Sequence, residues 1–234
     1  AGMSYTQVLM WLPALFTALT LPLFYFFANE MMGSRPRAAL ATAFFALAPG
    51  NYAWLLMGGG LTRALGSVFF ISSLIFVHRT FIRPGWRVTG FAIISCSLVV
   101  VSHPQAALLT VLSCAVFWIF YGRSRSSTIH AFAIAIGTLL LTSPWWGTVI
   151  YRHGVETFFS AGQSGNLGIS LTALWANLLS LQTILPFASI FRWMGLGWLI
   201  YKRRFDLLIW GFLPYFIDQR SASIVTSFLY PILA

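Results

Sequence analysis

The side chains able to do chemistry are few, and most are cations. Only four acidic residues stand against fourteen lysines and arginines, a formal charge of +10, so each polar group outside the obvious basic clusters invites a functional reading. Gly58-Gly59-Gly60-Leu61-Thr62-Arg63 reads as a glycine run opening a helix, whose free backbone N–H groups and dipole favour an anion such as phosphate. Arg63 would sit one turn in. The alternative is a turn with Thr62 near the cap and Arg63 reaching to headgroups. The run has no Walker lysine. Ser102-His103-Pro104 reads as a tight turn with Pro104 at the first position of the next helix. His103 there could donate to a phosphate or carry a proton, or simply bond neighbouring backbone.

The richest stretch is Pro144-Trp145-Trp146 followed by Tyr151-Arg152-His153-Gly154-Val155-Glu156. It combines aromatic faces, cations and a carboxylate, which suits a sugar or a phosphate. The plain alternative is an interfacial helix held by an Arg152 to Glu156 pair four residues apart. Asp218-Gln219-Arg220 offers either a local ion pair or a cation turned toward the same cavity as Arg63 and Arg152. His78 and His130, beside basic clusters, read as interfacial residues. No histidine pair has the facing helical spacing of a metal or haem site, and no cofactor is implied. Cys96 and Cys114 lie in apolar runs and read as packing residues.

The elements that must position these groups are apolar helices. Charged residues make up only 8% of the chain and mean hydropathy is +0.82, where soluble domains carry about 25% charged residues. The apolar runs are long and continuous, which argues for helices rather than a barrel of alternating strands. The expected fold is all-α, a polytopic transmembrane bundle of about eight or nine helices forming one domain over 1–234. Candidate spans are 5–28, 38–49, 61–77, 88–101, 105–121, 129–143, 186–201, 206–217 and 221 onward. The chain opens Ala-Gly-Met-Ser and stops within an apolar run, as part of a longer protein would.

Arg35 and Arg37, then Arg79, Arg83 and Arg87, then Arg123 and Arg125, then Lys202-Arg203-Arg204 occupy alternate connections. The positive-inside rule makes those loops cytoplasmic. The glycine run, the His103 turn, the stretch from Trp145 onward and the Asp218 turn then face out. Arg63, Arg152, Arg192 and Arg220 oppose the usual charge bias. The alternation closes only if Leu167 to Leu185, within an outer-face loop over 144–185, stays outside as an interfacial or re-entrant segment. Trp54, Trp86, Trp145 and Trp146 suit an aromatic interface belt. The partners expected are membrane lipids rather than nucleic acid.

In pattern, Ala48-Pro49-Gly50 with Gly58-Gly59-Gly60-Leu61-Thr62-Arg63-Ala64-Leu65, Ser102-His103-Pro104, Ser143-Pro144-Trp145-Trp146 with Arg152-His153-Gly154, and Asp218-Gln219-Arg220-Ser221-Ala222 resemble the GT-C superfamily of polytopic membrane glycosyltransferases. The resemblance implies a multi-pass protein of the bacterial inner membrane. Its outer face would take a sugar from a polyprenyl-phosphate carrier. It also implies carrier-phosphate binding by Arg63, His103, Arg152, His153 or Arg220, with Glu156 and Asp218 as an acid or an ion-pair partner. The family's catalytic acid, carried in a first long outer loop, matches no residue of this chain. Two other readings stand beside the transferase: an accessory subunit of a larger membrane complex, and a transporter.

Overall fold

The computed structural model describes residues 4–48, 50–56, 60–163, 186–217 and 219–233, and among them every regular element is helical. In chain order these are α1 (Tyr5–Met32), α2 (Arg35–Leu47), α3 (Gly50–Leu56), α4 (Leu61–Ile82), α5 (Trp86–Ser102), α6 (Pro104–Tyr121), α7 (Arg125–Leu141), α8 (Ser143–His153), α9 (Glu156–Gln163), α10 (Pro186–Tyr201), α11 (Phe205–Phe212) and α12 (Gln219–Leu233). A 3₁₀ turn, Leu213–Phe216, extends α11.

Local chemistry sets the ends. Ser4 and Gln7 form a reciprocal capping box at the start of α1, and Gly33 closes that helix at φ 61°, a left-handed conformation that glycine adopts without a Cβ penalty. Ala48 ends α2 in extended backbone, the conformation that the following Pro49 favours. Pro104 and Pro144 stand at the starts of α6 and α8, where a missing N–H costs nothing.

Three helices are long and apolar enough to cross a membrane: α1, α4 and α6. A fourth candidate is the pair α7 and α8, bent by 52° at their junction. The helices Trp86–Ser102, Phe205–Phe216 and Ile224–Leu233 are apolar but shorter. The all-α class therefore holds, whereas eight or nine full-length spans are not what the described helices provide. The expected span 38–49 is the 13-residue α2, about 20 Å long at the helical rise, well under a hydrocarbon core of about 30 Å.

The core is built around α4, of which 61% of the most apolar window is buried against 22% for α1. It packs on α1, α5 and α6. Small residues allow the close approach, as between membrane helices generally. Buried hydroxyls turn back on their own helices: Ser73 donates to Phe70 O at 2.7 Å, Thr110 to Ala106 O at 2.8 Å and Ser113 to Leu109 O at 2.7 Å. Each thus satisfies its own donor locally in an apolar interior. Phe24, Phe45, Phe70 and Phe228 stack together and bring α12 onto α1, α2 and α4.

Cys96 and Cys114 are more than separate packing residues, because their thiols meet across the contact between α5 and α6. Treatment of the membrane-embedded protein with copper phenanthroline is expected to join them in an intramolecular disulfide, a bond that needs Cβ atoms about 3.5–4.5 Å apart. Mass spectrometry of the linked peptides reads it. Failure to form under conditions that oxidise an exposed control cysteine would refute the α5 to α6 register.

Candidate functional site

Two polar clusters sit at opposite ends of the bundle. The first lies where α4 and α6 begin. Gly60 caps α4 with no side-chain hydrogen bond, its carbonyl accepting from Ala64 N at 2.8 Å. Arg63 follows in the first turn and is half-buried. His103 is the N-cap of α6, in extended backbone, and its Nδ1 accepts from Ala106 N at 3.2 Å. That bond assigns the ring proton of the neutral imidazole to Nε2, so Nε2–H is the donor left for another partner. Burial first, and then the Arg63 guanidinium, hold the imidazole below its ordinary pKa, which keeps this neutral tautomer at pH 7.

The close approach depends on Gly66. A Cβ built there would lie 2.7 Å from His103 Cβ, so only the bare backbone of α4 lets the His103 turn come this near. The two residues that sequence spacing singled out at positions 63 and 103 are thus brought together. What they can do is bind an anion, with a guanidinium, a neutral N–H donor and the unpaired amides of a helix start.

Arg152, His153 and Glu156 are carried elsewhere, on α8 and α9. Arg152 and His153 are exposed in the last turn of α8, and Glu156 opens α9. The expected Arg152 to Glu156 pair does not form: Gly154, at φ 76°, ends α8 between them, so they do not share one helix face. Trp145 stacks edge-on to Phe158 at 6.0 Å and ties α8 to α9. Asp218 lies outside the described residues, as does 164–185 of the expected outer segment. Arg220 is placed within α12, but its side chain, like those of Arg192 and Trp54, is outside what is described.

The second cluster, at the ends of α1, α4 and α6, was not anticipated. Arg204 donates from Nε to Asp206 Oδ1 at 2.9 Å and from Nη2 to Oδ2 at 2.8 Å, while the Tyr121 hydroxyl donates to Oδ2 as well. Arg204 also reaches Met31 O at 3.5 Å, one of the carbonyls that the end of α1 leaves unpaired. Nearby, Arg79 of α4 bridges to Glu30 of α1 at 2.5 Å. Glu30 sits near the negative end of its helix dipole, and Arg79 offsets that placement.

Between these pairs His78 is buried, its ring 4.7 Å from Tyr121 and 5.7 Å from Phe117. His130 is buried too, 4.6 Å from Trp86. Both histidines were expected at the interface. Flanking arginines suggested exposure, but each lies on the helix face that packs inward.

The geometry of Arg204 comes from the chain turn before it. Arg204 N bonds to Leu199 O at 2.9 Å and Arg203 N to Ile200 O at 3.0 Å, with Arg203 at φ 54°. This is a Schellman closure of α10 with an arginine where glycine is usual. It turns Arg204 toward Asp206 in the first turn of α11, where a carboxylate also suits the helix dipole. Among the described residues no group of three or more His, Cys, Asp or Glu converges, so no metal-binding set can be named. No family model, curated protein or solved structure matches the chain, so the reading of this site rests on its own residues.

Proposed function

We propose that the chain is a multi-pass protein of the bacterial inner membrane whose Arg63 and His103 pole faces outward and binds the phosphate of a polyprenyl-linked sugar, as a GT-C-like glycosyltransferase would. The observation that carries this reading is the convergence of Arg63 with a neutral His103 whose Nε2–H is left to donate. Charge supports the orientation. Arg35, Arg37, Arg83, Arg87, Arg123 and Lys202 lie in the turns after α1, α4, α6 and α10 or in the first turn of the helix that follows, and contacts among Glu30, Met31, Arg79, Tyr121, Arg204 and Asp206 hold the ends of those helices at one pole. The polar pair lies at the other.

On this reading the described residues supply substrate binding rather than the base. Glu30 and Asp206 are committed to arginines at the opposite pole, and Glu156 stands exposed on α9. Polytopic insertion with more passes than the full-length helices number would use the shorter helices as tilted or partial spans.

The test is binding of a polyprenyl phosphate to the purified protein in detergent. Arg63→Ala removes a hydrogen bond to a charged group, worth about 1.5–3 kcal/mol, and is expected to weaken binding about tenfold to a hundredfold. His103→Asn keeps a good N-cap acceptor while losing the Nε2–H donor, so its loss of binding would report donation rather than folding. Unchanged affinity in both variants would overturn the assignment.

A further inference from the structure

A groove of about 830 Å³ runs along α5, α6 and α7 and ends beneath α8 and α9. It exists because α7 packs on α5 and leaves α6 apart from it. Cys96, Val111, Ile134, Leu139, Trp146 and Phe158 line it, and none of its lining residues is charged. Its hydroxyls are largely engaged: Thr110, Thr128 and Thr142 donate to backbone carbonyls of their own helices. Val111, Phe132 and Leu139 on its walls are also exposed, so it opens sideways.

Shape decides between occupants. Thr128 and Thr142 mark the two ends of the α7 wall, a span of about 21 Å at the helical rise. A slot of that length, walled by apolar side chains and open sideways, suits extended hydrocarbon chains lying along it.

Its upper end is where charge appears. Arg152 and His153 lie seven residues beyond Trp145 and Trp146 on α8, a spacing that returns each to the face its tryptophan presents. The residues are exposed and lie at the end of the helix, where an anionic headgroup would meet them.

We propose that this groove is a binding site for one anionic diacyl phospholipid, with its two acyl chains between α6 and α7 and its phosphate at Arg152 and His153. The proposal rests on the membrane placement argued above but not on Arg63 or His103, so either site can fail without the other.

Native mass spectrometry of the full chain, delipidated and then exposed to dioleoyl phosphatidylglycerol, dioleoyl phosphatidylcholine or a polyprenyl phosphate, tests it. One phosphatidylglycerol per chain is expected to be retained, with phosphatidylcholine retained about tenfold less. Arg152→Ala with His153→Ala should bring the two to the same level, and Ala135→Trp, which fills the groove, should abolish both. Equal retention of the two lipids by the unaltered protein would overturn the proposal, as would displacement of phosphatidylglycerol by the polyprenyl phosphate. A phosphatidylglycerol carrying a photoreactive group in one acyl chain does not depend on any substitution being tolerated. It should label the peptide over 128–142, and labelling confined to other helices would overturn the site.

Discussion

Asp206→Asn is expected to lower stability in mild detergent by about 2–3 kcal/mol. The carboxylate is the shared acceptor of Arg204 and Tyr121, with side-chain exposures of 10% for Asp206 and 33% for Arg204. Removing one partner of a fully buried pair costs about 3–5 kcal/mol, because the other charge is left uncompensated. Solvent reaching Arg204 reduces this to about 2–3 kcal/mol.

Tyr121→Phe removes one hydrogen bond to a charged acceptor and should cost less, about 1.5 kcal/mol. The double variant should cost less than the sum, since the phenol loses its charged acceptor once Asp206 is amidated. Unfolding by denaturing detergent, followed by far-ultraviolet circular dichroism, reads both. Trp210 shares the load on α11: its indole donates to Ser113 at 2.8 Å and packs on Phe27 and Phe117, joining α11 to α6 and α1. Strict additivity, or an Asp206→Asn cost within about 0.5 kcal/mol of zero, would show that this network does not hold α11 to the bundle.

This network also marks where sequence reading stops. Helix starts at Pro104 and Pro144 were legible, because proline acts through its own φ and missing N–H and needs no tertiary partner. The identity of Arg63 and His103 as candidates was legible from type and spacing, but their meeting was not. It depends on Gly66, which in sequence is one glycine among nineteen. Lys202-Arg203-Arg204 read as a topology signal by charge alone. Arg204 acquires its separate role only because Arg203 takes a left-handed conformation that no local pattern announced.

Tyr121 and Asp206 are 85 residues apart, beyond any motif. The described helices provide fewer full-length spans than the apolar runs suggest. Hydropathy registers that 38–49 and 88–101 are apolar, but α2 and α5, at 13 and 17 residues, fall short of the roughly 20 that a straight crossing takes. The groove was invisible because it is a gap between helices adjacent in sequence, set by how α7 leans on α5.

Gly66→Val is expected to damage the Arg63 and His103 pole from a position that touches no ligand. The Cβ alone would stand 2.7 Å from His103 Cβ and 3.9 Å from Ala106 Cβ, and the branched methyls of valine extend that overlap. Neither neighbour can yield cheaply. His103 Cβ is one bond from the backbone, and Ala106 is the residue whose N–H the imidazole accepts. Overpacking of this kind costs about 1–3 kcal/mol, and relief must come by separating α4 from the start of α6.

Separation would break the His103 cap, freeing the imidazole to exchange tautomers, and would move Arg63 away from it. Gly66→Val should therefore lower stability by about 2–3 kcal/mol and weaken polyprenyl-phosphate binding at least as much as Arg63→Ala does. Gly66→Ala should show the same two effects, each smaller. A Gly66→Val protein that loses stability yet binds polyprenyl phosphate normally would mean that the convergence of Arg63 and His103 is a feature of packing alone.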